Sequence, residues 1–213
     1  MDLFVHEEEY RGKELIKKFH SQKITLCGAG AIGSNIADNL ARHGFEDLTV
    51  IDFDRIENHN RHTQIWDSRS VGQLKTVGLR SYLYNTMKID ITCIPKKLEL
   101  LNIGKFIKDG IVIDGFDNSE SRGLVTRHCL KNNIDCLHIG MNKDCAEVTW
   151  NEDYRVPRDV DGLDVCEYPL ARNIIMLAVT VGTESLIRYI DKGVKENYII
   201  TLGDFRISRI VKQ

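Results

Sequence analysis

Apolar positions in this chain follow two rhythms. From Glu7 to Phe19 the stretch EEEYRGKELIKKF places them at helical spacing among charges, which predicts one amphipathic N-terminal helix within residues 1–22. Beyond it they gather into short runs. KITLC (23–27) predicts a buried strand closed by a glycine turn, and AIGSNIADNLARHG predicts a helix ending at Gly44, a C-terminal capping glycine. LTVIDFD (48–54) predicts a second strand, VGQLKTVGLRSYLYNTM (71–87) a helix, and DITCIP a third strand. GIVIDGFD (110–117), SESRGLVTRHCLKNN and DCLHIG then read as strand, helix and strand. Strands alternating with helices at this spacing predict an α/β fold, a doubly wound, mostly parallel sheet with helices on both faces.

The last third breaks this alternation. AEVTW predicts a strand, residues 151–169 a long irregular loop, and Ala171 to Tyr189 a long helix. YIITLGDFRISRIV alternates on both sides of Gly203-Asp204 and predicts a terminal hairpin of antiparallel strands. No internal repeat or linker composition divides the chain, so residues 1–213 are expected to form a single domain.

Composition narrows the function classes. Of 213 residues, 42% are apolar and 28% charged, with a net charge of −2, an ordinary soluble balance that does not favour a polyanion as the main partner. The apolar run Ile174 to Val181 is shorter than a bilayer requires, and the acidic start MDLFVHEEEY is unlike a basic targeting segment. Cys27, Cys93, Cys129, Cys136, Cys145 and Cys166 form no C-x-x-C pair, so free thiols and a cytoplasmic location are expected, with no structural zinc.

The chemistry begins at TLCGAGAIGS, where Gly28, Gly30 and Gly33 spell G-x-G-x-x-G between a strand and a helix. Gly28 permits the tight turn, Gly30 lets backbone approach a phosphate, and Gly33 allows the helix to pack on the sheet. The N–H groups opening the helix, at Ala31, Ile32 and Gly33, suit an anion. Asp52, ending the second strand, is placed to accept ribose hydroxyls. These features fit a dinucleotide and ATP equally. Cleavage between the α- and β-phosphates additionally needs a cation, for which Lys75 is the candidate, and a hard oxygen ligand for Mg²⁺, which Asp117 can supply.

The order GAGAIG, D-F-D (Asp52, Asp54), N-x-x-x-Q (Asn60, Gln64), V-G-Q-x-K (Lys75) and D-x-x-D-N-x-x-x-R (Asp114, Asp117, Asn118, Arg122) resembles the ThiF/MoeB/ubiquitin-activating superfamily. That resemblance implies ATP-dependent adenylation of the C-terminal glycine of a ubiquitin-like or sulfur-carrier protein, by an enzyme expected to be a homodimer. Asp52 would hold the ribose, Asn60 and Lys75 would act on the phosphates, and Asp117 would bind Mg²⁺, with Asp54, Gln64 and Asn118 beside the nucleotide. Plainer readings stand beside these: Lys75 as a solvated charge, Asp117-Asn118 as a helix cap, Asp54 as turn support.

The sequence departs from the family at Thr63, where N-x-x-R-Q has an arginine that acts on phosphates; Arg61, two residues earlier, is the candidate substitute. Arg11 is a candidate for the N-terminal arginine that relatives insert into the partner subunit's site, or else an exposed helix charge. Cys166, just before the last helix, sits where family members that proceed beyond the adenylate use a cysteine, which implies a thioester carrier; a loop thiol without chemistry is the plainer reading, and Arg155 and Arg158 suit a loop covering the substrate's tail. Three alternatives stay open: an NAD-dependent oxidoreductase, a catalytically weak adaptor of the same fold, and an adenylating enzyme acting on a small molecule or tRNA.

Overall fold

The computed structural model describes residues 3–157 and 170–211. In chain order the elements are α1 (Val5–Arg11), α2 (Lys13–Ser21), β1 (Ile24–Cys27), α3 (Ala31–His43), β2 (Leu48–Ile51), α4 (Lys75–Met87), β3 (Thr92–Ile94), α5 (Ile103–Phe106), β4 (Ile111–Asp114), α6 (Ser119–Asn132), β5 (Asp135–Asn142), β6 (Cys145–Trp150), α7 (Arg172–Lys192), β7 (Asn197–Thr201) and β8 (Arg206–Ile210). Short 3₁₀ turns occupy Asn58–His62 and Ser68–Ser70.

The eight strands form one sheet in the order β3-β2-β1-β4-β5-β6-β7-β8. The first five pair in parallel, and β6, β7 and β8 follow antiparallel to their neighbours. The chain winds outward from β1 through β2 to β3, then returns to place β4 on the other side of β1. That reversal opens a crevice at the carboxyl ends of β1 and β4, the topological switch point where open α/β sheets bind ligands. Register brings the relevant loops together there, because Cys27 lies beside both Ile51 and Asp114. The residues after them, Gly28, Asp52 and Gly115, therefore emerge side by side.

Alternation along the strands divides the core. Ile24, Leu26, Ile111, Ile113, Leu137 and Ile139 face α2, α3, α4 and α7, while Cys27, Ile51, Val112 and Cys136 face α5 and α6. Helices on both faces explain why these strands read as continuous apolar runs. The long helix α7 meets apolar length and composition sufficient to cross a membrane, but it buries Ile174, Ile175, Ala178 and Val179 within the core. A Cβ at Gly182 would stand 2.5 Å from Ile139 Cδ1, so the helix needs that glycine to lie flat on β5.

Several boundaries differ from the pattern-based expectation. The single N-terminal helix is two, broken at Gly12, whose φ of 89° no helix accommodates. The second strand stops at Ile51 because the Asp54 N–H turns back to Asp52 Oδ1 at 2.7 Å. Gly72 turns with a φ of 88° and Leu74 is extended, with Gly72 and Gln73 bonding Ile56 backbone, so α4 starts at Lys75 and not at Val71. Residues 151–157 carry no helix or strand; 158–169, including Arg158 and Cys166, lie outside the described residues.

Candidate active site

Three glycines shape the turn after β1, each for a different reason. Gly28 has φ 94°, and a Cβ there would press on Gly115 O at 3.2 Å and on the Phe116 ring at 3.3 Å. A Cβ on Gly33 would stand 1.9 Å from Gly28 O, so only glycine lets the first turn of α3 close over the end of β1. At Gly30 nothing lies within 4 Å of the Cβ position. That is the open side of the turn. No side chain caps α3, which leaves the first-turn N–H groups of Ala31, Ile32 and Gly33 available to an external acceptor.

Asp52 locks this loop to the next strand. It is buried, with Oδ2 accepting the Ala29 N–H at 2.7 Å and Oδ1 accepting the Asp54 N–H at 2.7 Å. Burial pushes its carboxyl above the ordinary aspartate range, against the pull of Lys75 and of the two N–H groups. Each oxygen keeps a lone pair, so a ribose hydroxyl can still donate to it.

Lys75 is buried, not a solvated surface charge, and its Nζ donates to Asp54 Oδ2 at 2.8 Å. Burial draws its pKa down, but the carboxylates of Asp52, Asp54 and Asp117 more than offset this and hold it above the ordinary lysine value. The lysine is therefore a cation at neutral pH. Its backbone N–H donates to Asp54 O at 2.9 Å, which fixes the first residue of α4 beside the D-F-D turn. Asp117 follows β4 on an exposed loop, close enough to act on the lysine's charge. Asn118 caps α6 by accepting the Ser121 N–H at 2.9 Å, and its Nδ2 donates to Asp117 Oδ1 at 3.2 Å. The cap orients the neighbouring carboxylate.

The segment 58–64 ties its side chains into local backbone and neighbouring residues. Asn60 Oδ1 accepts the Glu57 N–H at 2.8 Å, closing a capping box for the 3₁₀ turn. Gln64 is buried, and its side-chain carbonyl accepts the indole N–H of Trp66. Arg61 is exposed and donates to Asn58 Oδ1 at 2.9 Å. Thr63 is buried, and its carbonyl accepts from Asn35 Nδ2 at 2.9 Å and from Arg172 Nη1 at 2.6 Å. Arg11 is tied within its own chain, to Glu7 at 2.6 Å and to Glu184 of α7 at 2.9 Å. Of the cysteines, Cys27, Cys129 and Cys136 are buried, Cys93 is half-buried and Cys145 is exposed.

A second polar cluster joins Asp114 and Arg122 of the D-x-x-D-N-x-x-x-R motif to residues that the sequence did not single out, His138, Asn151 and Tyr154. Beneath α6, the Nδ1–H of His138 donates to buried Asp114 Oδ2 at 2.8 Å, and its Nε2 lies 2.9 Å from Asn151 Oδ1. Arg122 sits 3.9 Å from the same Asp114 oxygen and donates to Tyr154 OH at 3.0 Å and to Ile139 O at 2.8 Å. Tyr154 stacks on His138 with ring centroids 3.7 Å apart. The Asp114 Oδ1 accepts the Phe116 N–H at 3.1 Å, so the cluster sets the loop that carries Asp117. For His138 the signal was a histidine interrupting the apolar run DCLHIG.

The donor set fits a triphosphate with Mg²⁺. One exposed carboxylate, Asp117, beside a glycine turn suits an ion that keeps waters and phosphate oxygens as its remaining ligands. The first-turn N–H groups of α3 and the Lys75 ammonium suit the phosphates themselves.

Comparison with known proteins places this arrangement. The profile of the ThiF family matches residues 6–153. Among curated proteins, the chain is 26% identical over 141 residues to a SUMO-activating enzyme subunit 2 of Dictyostelium discoideum, covering 64% of this chain and 21% of that protein. It is 30% identical over 131 residues to a tRNA threonylcarbamoyladenosine dehydratase of Haemophilus influenzae, covering 59% and 49%. To the adenylyltransferase and sulfurtransferase UBA4 of Lodderomyces elongisporus it is 30% identical over 117 residues, covering 54% and 26%. The chain thus spans at most about half the length of these relatives. Among solved structures, E. coli MccB with MccA-N7isoASN superposes with a TM-score of 0.83 at 18% identity, covering 99% of this chain and 72% of that one. E. coli MccB with ATP gives 0.79 at 17% identity, covering 97% and 69%. At these identities the likeness is one of fold.

Proposed function

Since the chain belongs to the ThiF family, we propose that it is an ATP-dependent adenylyltransferase acting on a carboxylate. The observation that carries this reading is the convergence of Asp52, Asp54 and Asp117 on one buried lysine at the mouth of the glycine turn. A nicotinamide enzyme has no use for that lysine. An enzyme splitting ATP between its α- and β-phosphates does.

The chain's residues divide the work. The N–H groups of Ala31, Ile32 and Gly33 bind phosphate oxygens, and Asp52 accepts from the ribose. Lys75 stabilises the charge that grows as a carboxylate oxygen bonds the α-phosphorus and the bond to the bridging oxygen breaks. Pyrophosphate leaves with that electron pair, and the acyl-adenylate remains. Asp117, oriented by Asn118, would hold Mg²⁺, which supplies further neutralisation of phosphate charge. Asn60 and Gln64 shape the wall of the site, through the capping box and the Trp66 bond.

The carboxylate is proposed to be the C-terminal glycine of a ubiquitin-like or sulfur-carrier protein, as the names of the SUMO-activating and adenylyltransferase–sulfurtransferase relatives suggest. Transfer to Cys166, a homodimeric state and a cytoplasmic location complete the proposal. The Haemophilus likeness supports a second acceptor class, a tRNA. Hydroxylamine trapping separates them. A C-terminal hydroxamate on a Gly-Gly-ended carrier, formed with ATP and this protein, supports the reading; hydroxamate or adenylate only with tRNA favours the second.

A further inference from the structure

The charges around the glycine turn do not balance for a triphosphate. Three carboxylates, Asp52, Asp54 and Asp117, act on one buried cation, Lys75, whose ammonium donates to Asp54 Oδ2 at 2.8 Å. A bound ATP would add several negative charges to the same crevice, which favours a further protein cation beside the Mg²⁺ that Asp117 would hold. Arg61 donates to Asn58 on the exposed side of the 3₁₀ turn, and Arg11 is held by Glu7 and Glu184.

Among the described residues a further cation comes from far along the chain. Arg172, first residue of α7, donates through Nη1 to Thr63 O at 2.6 Å. The same carbonyl accepts Asn35 Nδ2 at 2.9 Å, and that Nδ2 also donates to Ala31 O at 2.6 Å. One buried asparagine therefore links Arg172 to the first turn of α3, the end of the helix that faces an incoming phosphate. Arg172 is exposed, and among the described residues its guanidinium bonds the Thr63 carbonyl, which leaves further guanidinium donors open to a ligand. Its place is also electrostatically costly, because a cation in a helix's first turn opposes the macrodipole, and no acidic residue there relieves it.

We infer that Arg172 is the second phosphate-binding cation of this site, anchored through the Thr63 carbonyl and contacting the phosphates beyond the α-phosphate. This rests on the ATP reading above. It also explains how a threonine is accommodated at 63: the position contributes a carbonyl that fixes a guanidinium supplied by α7, in place of a guanidinium of its own.

Isothermal titration of the full chain with Mg·ATP and with AMP tests the inference. For wild-type protein, ATP should bind more tightly than AMP. In Arg172→Gln, ATP affinity should fall about tenfold, the scale of one charge-assisted contact, with AMP affinity held within twofold. Arg172→Lys should recover part of the loss. An unchanged ATP-to-AMP ratio in Arg172→Gln overturns the inference, as does a loss appearing in Arg61→Gln instead. Wild-type protein that binds no ATP overturns the ATP reading itself, a result distinct from either. Far-ultraviolet circular dichroism of each variant confirms that α7 is intact.

Discussion

Lys75 and Asp54 are joined twice, by the ammonium on Oδ2 at 2.8 Å and by the lysine's N–H on the aspartate's carbonyl at 2.9 Å. The double tie positions a buried ammonium at the first residue of α4 without spending it in a closed ion pair, since the Asp54 carboxylate is itself 49% exposed. A phosphate arriving at the glycine turn can compete for that charge. Lys75→Ala should therefore lower ATP-dependent turnover by about 10²–10³-fold, the scale of one preorganised charge-stabilising donor. Asp54→Asn keeps the backbone tie and the ammonium, and should cost no more than about tenfold in the same assay.

The glycine turn separates folding from binding at adjacent positions. Gly33→Ala puts a methyl 1.9 Å from Gly28 O, an overlap only backbone movement relieves, and should destabilise by about 2–4 kcal/mol. Gly30→Ala meets open space and should keep stability within about 1 kcal/mol while blocking the approach of a phosphate. Denaturant melts paired with ATP titrations read the two effects; equal stability losses at both positions would contradict this division.

The cluster beneath α6 is expected to be structural first. Arg122→Met removes the cation 3.9 Å from buried Asp114 and unpairs Tyr154 OH. Leaving a buried charge and hydroxyl short of partners should cost about 3 kcal/mol in urea unfolding, with the Asp117 loop loosened as a consequence. A loss below about 1 kcal/mol would show the cluster to be wetter than its burial indicates.

Acid should loosen the junction of α7 with the terminal hairpin. Bonds from Tyr198, Arg209 and Arg188 hold Glu196 down to about 2 from its usual 4.5. A depressed carboxylate contributes stability that is complete above its unfolded pKa and lost as pH falls through its folded one. The difference in melting temperature between wild type and Glu196→Gln should thus be full at pH 6 and shrink steadily between about pH 4.5 and 2. A difference independent of pH over that window would exclude the carboxylate as its source.

Much of the fold was legible because buried parallel strands leave a strong mark: short apolar runs such as ITLC and IVID, bounded by glycine turns and alternating with helical patterns, read as strands of a two-faced sheet. The terminal hairpin was visible in alternation about Gly203-Asp204. Boundaries were lost where side chains redirect backbone, as when Asp52 captures the Asp54 N–H and stops β2. Glycine spacing marked the tight turn after β1, and the motifs that carry Lys75 and Asp117 marked the two residues that flank it. Spacing did not reveal that Gln64 serves Trp66, or that Arg11 is held by Glu184 173 positions away. His138 and Arg172 act through contacts between distant segments, which no local pattern encodes.

The central claim is that this crevice joins a carboxylate to the α-phosphate of ATP. Exchange of radiolabelled pyrophosphate into ATP tests it most directly, using a Gly-Gly-ended carrier protein with a free C-terminus and the same carrier amidated. The account predicts exchange that needs the free carboxylate and is lost in Lys75→Ala. Tight ATP binding with no exchange from any carboxylate offered, or exchange indifferent to Lys75→Ala, would contradict it.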